Sequence, residues 1–326
     1  MAGLASSALS HFRLPNPCIV GSLPASSRNE NFLVEDARGE RYVLRRYRRN
    51  PKPERVEFQL RFQQHLLLSG IPTSRVIETG EGERMLGFGG DFWALFTYVR
   101  GAEYDYESEA QLGEAARLLA RFHRVSESFE SREVLGDTIP DTRRWWIDGK
   151  GELQRLDEMF GGLGVEAELE FLHGWHSQLV RTWLRATLDA LPVVWVHGDY
   201  HGRNMVFAGD RLAGLFDFDV VHRGFRIEDV ALALFTFGRE SRDSDRIRPG
   251  TARLFVDQYG LEIQLTELER RALPMMATVV QARTAARYAL RQRSGEDPVC
   301  VLRTHVGRMR ALQTQMASLG PALFDK

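Results

Sequence analysis

Up to about residue 99, apolar positions come in short runs at period two; beyond Gly101 they recur at helical spacing over long stretches. The runs 31–35 and 41–47 flank Asp36-Ala37-Arg38-Gly39, a turn-forming cluster, and predict a hairpin. Residues 53–69 carry Val56, Leu60 and Leu67 on an amphipathic pattern that Gly70 stops, which predicts a helix. A further strand is expected over 92–99. After Arg100-Gly101, Ser108-Glu109-Ala110-Gln111 has the form of a capping box, and Leu112, Ala115, Leu119 and Phe122 then fall on one helical face. Helical patterns return at 165–190, 227–237, 266–293 and 298–318. Residues 126–164 are polar and Gly-rich, the least regular stretch, with Trp145-Trp146 inside it as packing residues or as a platform for an acceptor.

This sorting predicts an α+β protein with a small β-rich lobe over 1–99 and a large, mainly helical lobe over 100–326. At 326 residues with 43% hydrophobic and 27% charged, the chain can bury a substantial core. A formal net charge of −1 argues against a dedicated partner of nucleic acid or anionic membrane and for a small one. The seven arginines and Lys52 between Arg38 and Arg55 are then best read as a solvated face. Two cysteines, Cys18 and Cys300, make no disulfide framework. No run approaches the length of a membrane helix and the first ten residues lack a basic signal region, so a cytoplasmic location is expected. Nothing in the pattern specifies an oligomeric state.

The chemistry concentrates between Val193 and Asp229. The apolar strand Val193-Val194-Trp195-Val196 runs into His197-Gly198-Asp199-Tyr200-His201-Gly202-Arg203-Asn204, and a predicted hairpin over 205–216 leads to Asp217-Phe218-Asp219. Transfer of a phosphoryl group from a nucleotide needs one carboxylate to orient the acceptor hydroxyl. It also needs a second carboxylate and a neutral oxygen ligand to hold Mg²⁺ against the phosphates. Asp199 and Asn204, five apart, followed across a hairpin by Asp217, supply that set in the order in which protein kinases place theirs.

His197-Gly198-Asp199-x-His201-x-x-Asn204, then Phe216-Asp217-Phe218-Asp219, then Gly224-x-Arg226-x-x-Asp229-Val230-Ala231 resembles the aminoglycoside phosphotransferase and choline kinase family, strongly over about 193–235 and more weakly over 31–125. The resemblance implies a two-lobed protein-kinase-like fold and use of ATP, or alternatively GTP, with Mg²⁺. It assigns Asp199 as catalytic base, Asn204 and Asp217 as metal ligands with Asp219 as an accessory one, His197 as a support of the loop, and Asp229 as its anchor from the next helix. Arg45 stands where the family has its phosphate-binding lysine. On a strand it shares a face with Val43, which would cover the base. Aligning back from Gly70 puts Gln59, with Glu57 and Glu54 nearby, where the helix acid that pairs with that cation is expected. Ser27, Asn29 and Asn31 would line the phosphate loop, and the backbone of the stretch through Thr97 and Val99 would hydrogen-bond the base.

The reading that follows is a Mg-ATP phosphotransferase acting on a hydroxyl of a small acceptor of the homoserine, sugar, choline or aminoglycoside kind. Arg223, Arg226, Arg239, Arg242, Arg246 and Arg248 lean away from a polycationic acceptor and towards a neutral or zwitterionic one. Two alternatives share the fold: a protein kinase of the bacterial stress-response type acting on Ser/Thr of a protein substrate, and a pseudokinase that binds nucleotide without turnover. A different chemistry would gather His197, His201, Asp199, Asp217 and His222 as a metallohydrolase cluster. His123, beside Leu119 and Phe122, reads as a satisfied core histidine.

Overall fold

The structure, a computed structural model, describes residues 2–23, 29–48, 52–131, 142–183, 185–241, 244–290 and 297–324, with side chains throughout except at 2, 142–148, 185–186, 287–290 and 321–322. The chain packs as two compact units. One comprises Met1–Tyr104, Ser128–Leu135 and Arg203–Asp219, the other Asp105–Glu127, Gly136–Gly202 and Val220–Lys326.

In the first unit, strands β1 (Cys18–Leu23), β2 (Asn29–Glu35), β3 (Arg41–Tyr47), β4 (Val76–Ile77), β5 (Leu86–Phe88) and β6 (Asp91–Thr97) form one antiparallel sheet. Its order is β1-β2-β3-β6-β4, with β5 also paired to β6. The predicted hairpin is β2 and β3, in register Asn31 to Arg45 and Leu33 to Val43. Asp36 holds its turn, accepting from the amides of Arg38 and Glu40 at 2.9 and 3.0 Å. Alternation along β3 sorts its side chains to two cores. Leu44 packs with Trp93, Leu95 and the helix α1 (Ala2–Leu9). Val43 and Tyr47 pack with Ala94, Phe96, Val56 and Leu60, the last two from α2 (Pro53–Leu68). Val43 and Arg45 thus share the face that α2 covers. Helix α1, β1, β4 and β5 were not predicted.

The arginine-rich stretch is largely neutralised within the unit. Arg41 pairs with Glu35, Arg48 with Glu30, and Arg46 with both Glu30 and Asp91, the last at 2.6 Å. The unit also takes in the hairpin of β8 (Met205–Ala208) and β9 (Arg211–Leu215), because residue 102 is zipped to it by reciprocal Ala102–Phe207 backbone bonds of 2.8 Å. Gly101 permits this approach: a Cβ there would meet Val206 Cβ at 2.8 Å and the Phe207 oxygen at 2.9 Å.

The second unit is built of helices α3 (Glu109–Ser126), α4 (Thr142–Phe160), α5 (Glu166–Thr182), α6 (Arg185–Asp189), α7 (Arg226–Phe237), α8 (Pro249–Gly260), α9 (Glu267–Leu290) and α10 (Pro298–Ala322), with the short strands β7 (Val193–Val196) and β10 (His222–Phe225) paired antiparallel. Ser108 caps α3 by accepting from the Gln111 amide, and Leu112, Ala115, Leu119 and Phe122 are buried as their spacing predicts. The stretch 126–164 corrects the expectation of irregularity: 142–160 is helical, with Leu153, Leu156 and Phe160 buried at i, i+3 and i+7. The side chains of Trp145 and Trp146 lie outside the described ones. Helix α7 is tied to α9 by two buried pairs, Arg226 to Glu269 through two bonds of 2.9 and 2.6 Å and Arg283 to Glu228 at 3.0 Å. Among the described residues no helix is long and apolar enough to cross a membrane.

Candidate active site

In the second unit the motif loop leaves β7 at His197, and its backbone is held from α7. Asp229, fully buried, accepts from the amides of His197 at 2.6 Å and Gly198 at 2.8 Å. A third bond comes from His123: Nε2 lies 3.1 Å from Asp229 Oδ2, and Nδ1 lies 2.9 Å from the Tyr259 hydroxyl. A carboxylate can only accept, so His123 donates to it from Nε2, and its Nδ1 is partnered by the Tyr259 hydroxyl. His123 is a satisfied core residue. Burial pushes the Asp229 carboxyl up, but the bond and charge of His123, the field of His197 and the Gly198 amide outweigh it and hold it below the usual carboxylate range.

Gly198 turns the chain at φ +76°, and a Cβ there would sit 3.0 Å from the Val220 oxygen, so the close approach of this loop to residue 220 calls for glycine. Asp199 follows, its side chain 43% exposed and Oδ1 3.5 Å from His201 Nε2. Its amide donates to His197 Nδ1 at 3.3 Å. Tyr200 points the other way, into the core, and donates its hydroxyl to the Ala115 carbonyl at 2.7 Å. The carboxylate is therefore presented to solvent on a backbone fixed from beneath, the placement a general base needs.

In the first unit, Asn204 and Asp217 stand at the open end of the β8–β9 hairpin. Met205 pairs with Leu215, and the next step is a bond from the Phe216 amide to the Asn204 carbonyl at 2.9 Å, which sets Asn204 beside the residue preceding Asp217. Asp217 has φ +65°, a left-handed conformation that costs a non-glycine residue free energy and persists at sites where side-chain position matters. No sequence signal foretold it.

Arg45 is the centre of this group. Its Nη2 lies 2.9 Å from both oxygens of Asp219 and 3.3 Å from Asp217 Oδ1. Burial works against its charge and Asp219, then Asp217, more than restores it, so the guanidinium is held charged. Asp219 also accepts from Asn29 Nδ2 at 2.6 Å, and its carbonyl accepts from Arg55 at 2.7 Å and from Gln59 Nε2 at 3.4 Å. Helix α2 therefore supplies amide and guanidinium donors here. The acid partner expected on it is absent: Glu57 pairs with Arg84, and the carboxylates come instead from Asp217 and Asp219. Arg55 was not foreseen.

The remaining predicted nucleotide contacts are spread along the sheet. Val43 is half-buried on the α2 side. Asn29 and Asn31 lie within β2 and not in a loop, and Ser27 is outside the described residues. At Thr97 the amide and hydroxyl are both engaged with Arg75, and the Tyr98 amide donates to Arg41, whereas among the described residues the Val99 amide makes no hydrogen bond. The metallohydrolase cluster does not form: no three His, Cys, Asp or Glu side chains among the described residues gather to hold a metal ion, and His222 instead lies against the Val220 carbonyl and Glu228.

The geometry of the Arg45 guanidinium leaves part of its fork uncommitted. All three carboxylate contacts use Nη2, while Nε is buried with no partner, so one guanidinium can be held by the acids and still offer donors elsewhere. A lysine would have to serve both from one nitrogen. Arg45→Lys is expected to lower kcat/KM by about 10- to 100-fold, read by ADP release under steady-state conditions. A gain would mean a degraded site that lysine repairs.

Known proteins resemble this chain over most of its length. The profile of a phosphotransferase enzyme family matches residues 21–263. The homoserine kinase of Sinorhizobium medicae is 29% identical over 251 residues, covering 76% of this chain and 72% of that one. The homoserine kinase of Mesorhizobium japonicum is 24% identical over 269 residues, covering 82% and 79%. Among solved structures, a microcompartment-associated aminopropanol kinase superposes with a TM-score of 0.73 at 19% identity, over 99% of this chain and 100% of that one. An aminoglycoside phosphotransferase from Alicyclobacillus acidocaldarius does so with a TM-score of 0.67 at 17% identity, over 98% and 96%. These likenesses agree with the kinase-like α+β fold. With a family match over most of its length and the motif residues ordered as phosphoryl transfer requires, the chain belongs to the phosphotransferase enzyme family, as a kinase acting on the hydroxyl of a small molecule.

Proposed function

We propose that this phosphotransferase moves the γ-phosphoryl group of ATP, with Mg²⁺, to the hydroxyl of a small zwitterionic amino alcohol of the homoserine kind. The observation that carries the chemistry is the group formed by Arg45, Asp217 and Asp219 at the end of the hairpin that begins at Asn204. The donors fit the metal: Asn204 and Asp217 offer hard oxygens, the class that Mg²⁺ prefers. Asp219, both of whose oxygens already accept from Arg45 and Asn29, serves better to hold that arginine than to ligate. Bound Mg²⁺ would neutralise charge on the phosphates during transfer.

In this reading Asp199 orients the acceptor hydroxyl and accepts its proton, and Arg45 steadies the phosphates through the part of its fork not held by Asp217 and Asp219. Val43 covers the base, and the Val99 amide donates to its edge. Catalysis is then chiefly positioning and charge stabilisation. Similarity to homoserine kinases over 251 residues supports the acceptor class, and nothing observed favours a protein substrate.

The test of the nucleotide site is thermal unfolding with and without Mg-ATP, since a ligand that binds only the native state raises the transition. At an ATP concentration about 100 times Kd the stabilisation should approach about 2.7 kcal/mol. The part that depends on Mg²⁺ should disappear in Asp217→Asn, read against that variant's own transition without ligand, since the substitution also removes the ion pair with Arg45. Absence of any shift with millimolar ATP or GTP would refute active phosphoryl transfer. Turnover of L-homoserine against a panel of small alcohols, beside a generic protein substrate, tests the acceptor.

A further inference from the structure

The arginines that follow Asp219 are not alike once placed in the fold. Arg223 donates to the Val193 carbonyl and lies over Trp195. Arg226 pairs with Glu269, Arg246 with Glu240 and Arg248 with Glu107. Arg223 is exposed, and Arg239 differs in being half-buried while, among the described residues, no carboxylate forms an ion pair with it. Its guanidinium stacks over the Phe235 ring at 5.0 Å, its buried Nε has no hydrogen-bond partner, and Tyr106 is within bonding reach. Asp245, the acid whose field reaches it, is engaged by Arg308 at 3.0 Å. Burial, together with the like charge of Arg308, makes the Arg239 cation easier to deprotonate than usual, against the pull of Tyr106 and Asp245. An unneutralised, partly buried cation costs stability and is kept where an anion is to be received.

Its helix is tied to the motif loop. Arg239 lies just past the end of α7, one turn beyond Thr236, whose hydroxyl donates to the carbonyl of Tyr200 at 3.2 Å. Tyr200 is the residue after Asp199. The backbone at Arg239 is fixed by a small antiparallel frame, with bonds from the Arg248 amide to the Gly238 carbonyl at 2.7 Å and from the Glu240 amide to the Arg246 carbonyl at 2.9 Å. A guanidinium on a backbone fixed in this way, one turn from the residue that bonds the motif loop and with a tyrosine hydroxyl beside it, offers the fork that a carboxylate takes.

We propose that Arg239, assisted by Tyr106, binds a carboxylate of the acceptor, so that the substrate class is hydroxyl-bearing amino acids as opposed to amino alcohols without the acid group; this rests on the acceptor reading above. The Arg239 fork donates to the carboxylate oxygens, and Tyr106 accepts from Arg239 while donating its own proton to the same group. Discrimination between an acid and its decarboxylated counterpart then resides in one side chain.

The experiment separates binding from turnover. L-2-aminobutyrate has homoserine's amine and carboxylate but no hydroxyl, and n-propylamine is its decarboxylated form. Both are titrated calorimetrically into the full chain with Mg-ADP, in the wild type, Arg239→Gln, Arg239→Lys and, as a neighbouring control, Arg246→Gln. The wild type and Arg246→Gln should prefer aminobutyrate over propylamine; Arg239→Gln should reduce that preference by about 100-fold and Arg239→Lys by about 10-fold. Without ligand, Arg239→Gln should melt at or above the wild type, because it removes an unneutralised charge. A purely structural arginine would lower the melting point and leave the preference intact, and that result overturns the inference, as does a wild type without any preference. L-Homoserine turnover reports separately on the reaction. A wild type that fails to phosphorylate homoserine yet binds aminobutyrate through Arg239 refutes homoserine as substrate and upholds the subsite. Equal kcat/KM for homoserine in wild type and Arg239→Gln upholds the reaction and overturns the subsite.

Discussion

Asp199→Asn should lower kcat by about 10³-fold, within the 10²- to 10⁴-fold range typical of a lost general base, while KM for nucleotide and acceptor changes by no more than a few fold. The amide keeps the shape of the side chain and can still orient a hydroxyl, but it cannot take the proton. Stability should change little, since the side chain is 43% exposed and the amide keeps its shape. Single-turnover kinetics with labelled ATP measures the chemical step directly. A loss below about 10-fold would remove Asp199 from the role of base, because the amide cannot take a proton.

Asp229→Ala should be the costliest change for stability, at about 3–5 kcal/mol. Three buried donors converge on that carboxylate, the amides of His197 and Gly198 and the ring of His123, and each would be left without an acceptor. Asp229 has a folded pKa below its ordinary value, so the stability it contributes is fully present above the unfolded value of about 4 and is lost as pH falls through the lowered folded value. The gap between wild type and Asp229→Ala, measured by denaturant unfolding, should therefore be constant from about pH 5 to 8 and narrow below about pH 4. Activity should fall with stability, since the same bonds fix the backbone that carries Asp199. A variant that keeps wild-type stability would mean that the loop is held by other contacts.

Much of this was readable along the chain, and the reasons are local. The hairpins of β2 with β3 and β8 with β9 are announced by short apolar runs around Asp36-Ala37-Arg38-Gly39 and Ala208-Gly209-Asp210, where turn chemistry and strand period agree. Helices α2, α3, α7, α9 and α10 repeat apolar residues at helical spacing over enough turns to be unambiguous. Strand β10 was missed because His222-Arg223-Gly224-Phe225 has little strand character; pairing with Val193–Val196 makes it a strand. Helix α4 was missed because Gly149 and Gly151 and a polar surface hide the buried trio Leu153, Leu156 and Phe160, whose partners lie on α5 and α9.

The order of the motif residues is a property of the chain itself: five positions from Asp199 to Asn204, a hairpin, then Asp217 and Asp219, with Asp229 at the head of the next helix. Spacing of that kind is set by short-range geometry, so it can be read without a fold. The charge pairing cannot. Which acids neutralise Arg45, that α2 offers Gln59 and Arg55 where an acid was expected, that Asp217 is held at a positive φ, and that Arg239 is left with a buried Nε and no ion pair among the described residues all depend on side chains separated by many residues in sequence. Arg45 and Asp219 are 174 positions apart. Coulombic and hydrogen-bonding interactions fall off within a few ångströms of solvent-screened distance, so only the packing of the sheet, α2 and the β8–β9 hairpin into one unit decides which of many possible partners a charge meets.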